Sequence, residues 1–292
     1  MSSVSDWMNK KLYYLLLLPS LIIILVIFVF PIIYTTLISF HEFNLVSTEK
    51  PVFVGLDNYK KVILSPRFRH AVLVTFYNLS LVITSTILLG FITALIFHQS
   101  FPARSVARTF AVIPMMATPA AIGLIMMTMY HPTLGVANYF LSFIGIPPQL
   151  WSYGPKSVIP AISLIQIWRY TPLAMLFMLG GLASIPEEPY EAATVDGATW
   201  WQKVRYITLP LLRPHIFVAA MILMIDVMKQ FEIIFVMTKG GPGTASETIN
   251  ILLYLQAFSY FYIGEASALG LVFVAIMMAM ILILLRYRRR KF

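Results

Sequence analysis

The sequence predicts an all-α, polytopic membrane protein of six transmembrane helices, with one polar helix pair lying at the surface between the fourth and fifth. Three observations predict it. Of 292 residues, 59% are hydrophobic and only 11% charged, where a soluble domain carries about 25% charge. Apolar runs of about 20 residues, the length a helix needs to cross a bilayer core, recur between short polar connections. The 21 Lys and Arg residues gather at the ends of those runs. The net charge of +9 therefore reads as membrane orientation and not as a nucleic-acid partner. A single transmembrane domain over 1–292 follows, without internal repeat or low-complexity tract. The absence of cysteine excludes disulfides, thiol nucleophiles and cysteine metal sites.

The first span runs from Leu12 to about Phe40, an apolar segment broken by Pro31 that can cross with tilt or a kink. Lys10 and Lys11 precede it as in a signal peptide. Its apolar core, Leu15 to Ile33, is too long for a cleaved segment and lacks a small-residue cleavage site, so it reads as a retained anchor. His41 to His70 is an external loop with a short surface helix over Leu56–Leu64. Val72 to Phe97 is the second span, and Thr75, Asn78, Ser80, Thr84, Ser85 and Thr86 give it a polar side for helix contacts. A short basic loop carries Arg104 and Arg108. Phe110 to about Tyr130 is the third span, with Pro114 and Pro119, and the apolar stretch Val136–Ile146 beyond it is too short to cross.

Val158 to about Ala183 is the fourth span, with Pro160 and Pro172, and Leu211 to Val236 the fifth. Lys239-Gly240-Gly241-Pro242-Gly243 forms a turn, and Thr248–Phe261 folds back toward the membrane. Ala266 to Leu285 is the sixth span. Arg286, Arg288, Arg289, Arg290 and Lys291 follow it as a topology anchor on anionic lipid. With both termini cytoplasmic, twelve Lys and Arg lie inside and seven outside, five of the seven in the first loop. That excess favours this orientation in a prokaryotic cell membrane.

The most polar interruption of the second half is Glu187 to Pro210, EEPYEAATVDGATWWQKVRYITLP. Pro186, Glu187 and Glu188 suit the first turn of a helix that continues through Tyr190–Thr194. Asp196-Gly197 ends it, since glycine tolerates positive φ. Ala198 to Tyr206 reads as a second helix, ended at Leu209-Pro210 where the fifth span begins. Trp200 and Trp201 suit a membrane interface or a protein groove. Such a pair suits docking of another subunit.

Glu191-Ala192-Ala193, three residues, Gly197, nine residues, then Ile207-x-Leu209-Pro210 resembles the EAA loop of the membrane subunits of binding-protein-dependent ABC importers. Gly55-Leu56-x-Asn58-Tyr59, Arg104 and Arg108 followed by Pro114 and Pro119, Gly135-x-x-Asn138 and Thr238-Lys239-Gly240-Gly241-Pro242 extend the likeness to the carbohydrate-uptake permeases. That group resembles the maltose and glycerol-phosphate importer subunits. The added N-terminal spans and large external domain of the best-known maltose subunit are absent. The resemblance implies a cytoplasmic coupling loop at about 186–209, with Glu191, Ala192, Ala193, Gly197, Leu209 and Pro210 as its coupling element. It further implies a second permease subunit, two ATPase subunits that bind the ATP and Mg, and an extracytoplasmic sugar-binding protein. The chain itself then needs no cofactor or metal and is not an enzyme, and its sugar or polyol stays open.

Charged groups inside spans are costly and mark candidate sites. Arg169 lies about 12 residues into the fourth span, ~18 Å from its outer start. Gln166, Arg169 and Tyr170 share a helical face, and Asp226, Lys229 and Gln230 repeat the spacing in the fifth span. These six are the candidate substrate contacts, with Trp168, Tyr170 and Phe231 available for apolar sugar faces. The same residues fit a structural role in which Arg169 pairs with Asp226, and for Lys229 and Glu232 snorkelling to the surface is favoured. No HExxH or phosphate-binding loop occurs, so the energy source lies on another chain. An ion-coupled secondary transporter is the alternative, although neither inverted repeats nor broken helices are evident.

Overall fold

The structure is a computed structural model that describes Leu12 and residues 16–48 and 50–291. Lys10, Lys11 and Leu15, and the side chains of Arg288, Arg289, Arg290 and Lys291, lie outside the described residues. Among the described residues five helices are long and apolar enough to cross a membrane, or six if one sharply bent pair counts as a span. The chain falls into two compact units, residues 1–65 with 253–275 and residues 66–252 with 276–292.

In the first unit, α1 (Leu16–Ser39) is an apolar helix whose spanning window buries none of its residues within the chain. Pro31 does not break it. A π-turn over Leu25–Val29 closes with the Phe30 N–H on the Leu25 carbonyl, so the wide turn ends where proline supplies no donor. The expected loop beyond holds a two-stranded hairpin, β1 (His41–Glu42) and β2 (Val52–Phe53), then α2 (Asp57–Leu64). The buried Asn58 amide donates to the Ser39 and His41 carbonyls at 2.9 Å and ties the hairpin to α2.

The second unit is built around α3 (Pro66–His98) and α7 (Val158–Ala183), which pack along one another. Their backbones approach closely at Gly90, where an added Cβ would lie 2.5 Å from that of Ala174. Small residues permit such contacts where the surrounding lipid gives no hydrophobic drive. α3 starts at Pro66, earlier than the expected Val72.

The third span departs from expectation. The basic segment is already helical as α4 (Arg104–Met116), and α5 (Pro119–Met129) leaves it at 92°. Pro119 excludes Thr118 from helical backbone, and Thr118 is extended at φ −66, ψ 137. Pro114, by contrast, sits inside α4. α6 (Val136–Phe143) is the short apolar helix beyond.

The fifth span also differs. After the short helix α8 (Glu188–Val195), α9 runs for 39 residues as Trp200–Thr238 and passes through Leu209-Pro210 instead of ending there. Again a π-turn, Val204–Thr208, closes one residue before the proline, with the Leu209 N–H on the Val204 carbonyl. The regular helix ends at Lys229, because Gln230 is extended at φ −63, ψ 118, and resumes over Glu232–Thr238. α10 (Ile249–Ser259) and α11 (Ile263–Lys291) complete the chain.

Candidate functional site

The elbow between α7 and α9 is assembled from local rules. Glu188 and Glu191 lie in the first turn of α8, where carboxylates meet the positive end of the helix dipole. Its end is a Schellman turn. Ala198 N–H bonds the Ala193 carbonyl at 2.9 Å and Gly197 N–H the Thr194 carbonyl at 3.1 Å, with Gly197 at φ +74. α9 then starts on a reciprocal cap. Gln202 N–H donates to Thr199 Oγ1 at 3.3 Å while Thr199 N–H donates to Gln202 Oε1 at 2.7 Å.

Two side-chain bonds fasten the elbow to the base of α9. The Tyr190 hydroxyl lies 2.9 Å from Thr208 Oγ1, and Lys203 Nζ donates to Thr194 Oγ1 at 2.7 Å. Between α8, the start of α9 and the end of α3 lies a cleft of about 490 Å³, lined in part by His98, Gln99, Glu187, Glu191 and Lys203. Glu191, Ala192 and Gly197 are exposed and Ala193 partly so. Val195 is 89% exposed, and the stacked Trp200 and Trp201 are exposed with ring centroids 5.6 Å apart. Apolar side chains left bare at such a tip suit contact with lipid or with a partner chain. Leu209 and Pro210 lie apart from this tip, in α9 just past the π-turn.

The six intramembrane candidates divide into distinct contacts. Gln166 is fully buried; Asn78 Nδ2 donates to its Oε1 at 3.0 Å, and Ser163 Oγ donates to Asn78 Oδ1 at 2.9 Å. Tyr170 turns toward the break in α9, where its hydroxyl donates to Gln230 Oε1 at 3.2 Å. The Arg169 guanidinium lies over the Tyr170 ring, 4.9 Å from its centroid. Asp226 pairs with Lys229 at 3.8 Å, both side chains partly exposed. Among the described residues no ion pair joins Arg169 to Asp226, so the pairing considered for them is replaced by these separate partners.

Sequence reasoning missed two groups. Asn250 Nδ2 donates to the Met228 carbonyl at 2.6 Å, which supports the α9 break; its signal is an amide within an apolar run. Arg67, at the start of α3, makes two bonds of 2.7 Å to the buried Glu247. Nothing local in the sequence links those positions.

Apolar helices of membrane-spanning length, buried polar side chains bonded between them and an exposed helix–turn–helix elbow suit the membrane subunit of a transport system. The family described as binding-protein-dependent transport system inner membrane component matches residues 86–290, and the chain belongs to it. Among relatives, the trehalose/maltose transport system permease protein MalF of Thermococcus litoralis is 34% identical over 292 residues, 99% of this chain and 97% of that one. The sulfoquinovosyl glycerol transport system permease protein SmoG of Agrobacterium fabrum is 32% identical over 98% of this chain and 93% of its own. A crystal structure of a bacterial ABC transporter involved in the import of the acidic polysaccharide alginate has the same fold. Its TM-score is 0.84, with 24% identity, over 100% of this chain and 99% of that one.

Proposed function

We propose that this chain forms one half of the sugar-conducting path of an ATP-driven importer and that its elbow receives the motion of a separate ATPase. The elbow carries the proposal: an exposed acidic and apolar tip, closed by a glycine turn and bonded to the base of the helix that runs to the break at Gln230. A second permease completes the path, two ATPase subunits hold ATP and Mg, and an extracytoplasmic binding protein delivers the sugar. The names of the relatives support a saccharide or glycosyl-polyol substrate. Both termini then lie in the cytoplasm, as the charge excess favours.

Closure of the ATPases presses on Glu191 to Gly197. Because α8 is bonded to Thr208, that displacement rotates α9 and moves Gln230 relative to Tyr170, where the substrate passes. Arg169, Asp226 and Lys229, whose side chains are partly exposed, supply donors and acceptors for sugar hydroxyls, Tyr170 and Gln230 do so once that movement parts their bond, and Gln166 holds α7 against α3.

The test is uptake of a labelled sugar, the one that co-purifies with the cognate binding protein, into vesicles bearing the complete complex. Uptake is expected to need ATP and the ATPase chains, and Glu191→Lys is expected to abolish it while membrane insertion persists. Uptake driven by an ion gradient in the absence of the ATPases would assign the chain to secondary transport instead.

A further inference from the structure

We propose that α3, α4 and α7 bind one acidic glycerophospholipid from the leaflet on the elbow's side, with its phosphate on Arg104 and Arg108. A groove of about 510 Å³ runs between these helices. Leu89 and Thr93 line it on α3, Ala111 and Pro114 on α4, and Leu164 and Trp168 on α7. Leu164 and Trp168 lie on the side of α7 opposite Gln166 and Tyr170, so the groove opens away from the polar cluster. Its walls are almost wholly apolar, as an acyl chain requires.

Two arginines lie on α4 just beyond the groove's lining residues. Arg104, Arg108 and Ala111 follow one another along a face of α4, and Arg108 is only about 4.5 Å along the axis from Ala111. Arg108 Nη2 donates to the Phe97 carbonyl at 3.1 Å, one turn beyond Thr93 on α3. The two stripes thus converge at this end. Nε of both arginines is buried and has no hydrogen-bond partner among the described residues. No Asp or Glu occurs between Asp57 and Glu187, so α3, α4 and α7 themselves carry no carboxylate, and Glu187 and Glu191 line the elbow's cleft with His98 and Gln99. His98 and Gln99, which directly follow Phe97, line the elbow's cleft and fix the leaflet.

Two guanidinium groups one helical turn apart, each with an unused Nε–H, beside an apolar slot fit a phosphodiester headgroup with its attached chain. The inference rests on the membrane placement shown by the family and is independent of what is transported.

The complex purified with its partner chains is titrated with phosphatidylglycerol, phosphatidylcholine or inorganic phosphate and followed by native mass spectrometry. The wild type is expected to retain phosphatidylglycerol in preference to phosphatidylcholine. Arg104→Ala with Arg108→Ala is expected to weaken that retention roughly tenfold, since each basic group at an anionic surface contributes several-fold. Ala111→Trp, which fills the slot, is expected to weaken it with the subunits still assembled. If the alanine pair does not assemble, Arg104→Lys with Arg108→Lys is used, and preference for the acidic lipid is expected to persist. Equal retention of both lipids overturns the proposal, as does phosphate binding without lipid. Loss of the second permease on Ala111→Trp with lipid unchanged assigns the slot to a protein helix and overturns it as well.

Discussion

The hydroxyl of Tyr190 in α8 and Oγ1 of Thr208 in α9 lie 2.9 Å apart across 18 positions of sequence. Thr208 is buried and belongs to the π-turn that closes immediately before Pro210. The tip of the elbow is therefore bonded to the root of the helix that reaches Gln230.

Tyr190→Phe removes only the hydroxyl and costs about 1 kcal/mol locally. Combined with Lys203→Met, which releases Thr194, it is expected to loosen the elbow without unfolding it. ATP hydrolysis by the assembled complex should continue while sugar moved per ATP falls several-fold. An unchanged ratio of transport to hydrolysis would mean that the bonds are structural alone.

Gly197 gives a graded test of the turn. No atom lies within 4 Å of the position its Cβ would take, so only the backbone at φ +74 resists a side chain. Gly197→Ala costs about 1–2 kcal/mol and Gly197→Asn less, because asparagine tolerates left-handed backbone. Gly197→Pro cannot adopt that φ and removes the N–H that bonds Thr194. Uptake is expected to fall in the order Asn, Ala, Pro at constant amounts in the membrane. If the proline variant imports normally, the turn is not the coupling element.

The elbow was legible because its signals are local: a proline and carboxylates at one helix start, and a glycine at the required turn. The apolar runs located the spans for the same reason. Pro31 and Pro210 were misleading in different degrees, since a π-turn before each lets the helix pass through, and only the shape of the preceding turn reveals that. Pro119 does break its span, through its effect on Thr118. The polar cluster was found by residue type, but its pairing was not. Gln166 selects Asn78 and Tyr170 selects Gln230 because of how α3, α7 and α9 pack, and sequence spacing on one helix carries no information about the next.

Arg67 and Glu247 were invisible for that reason, and they make a stability prediction. The two 2.7 Å bonds hold the start of α3 to the loop before α10, with Glu247 only 2% exposed. Removing Arg67 leaves a buried carboxylate without this partner. Arg67→Ala is expected to cost about 2–3 kcal/mol, toward the low side for a buried pair because the arginine is itself partly exposed. Arg67→Ala with Glu247→Gln should recover part of that loss. Thermal unfolding of the purified complex in detergent measures both, and a single variant as stable as wild type refutes the pairing.

The last prediction separates holding from contact within the membrane. Gln166 has no exposed surface and is bonded to Asn78, which also accepts from Ser163. Asn78→Leu breaks both bonds and leaves the Gln166 amide and the Ser163 hydroxyl buried without these partners, at about 1–3 kcal/mol for each. Its expected effect is lower thermal stability with substrate preference unchanged. Arg169 instead stacks on Tyr170 and keeps a partly exposed side chain, and Asp226 is partly exposed beside Lys229. Arg169→Ala and Asp226→Ala are therefore expected to alter the half-saturating sugar concentration or the relative rates of two sugars, with thermal stability close to wild type. The measurement is competition between two labelled sugars, alongside unfolding temperature, for all three variants. Should Arg169→Ala and Asp226→Ala lower stability as Asn78→Leu does while leaving the sugar ratio untouched, the cluster is a helix lock and the substrate contacts lie elsewhere.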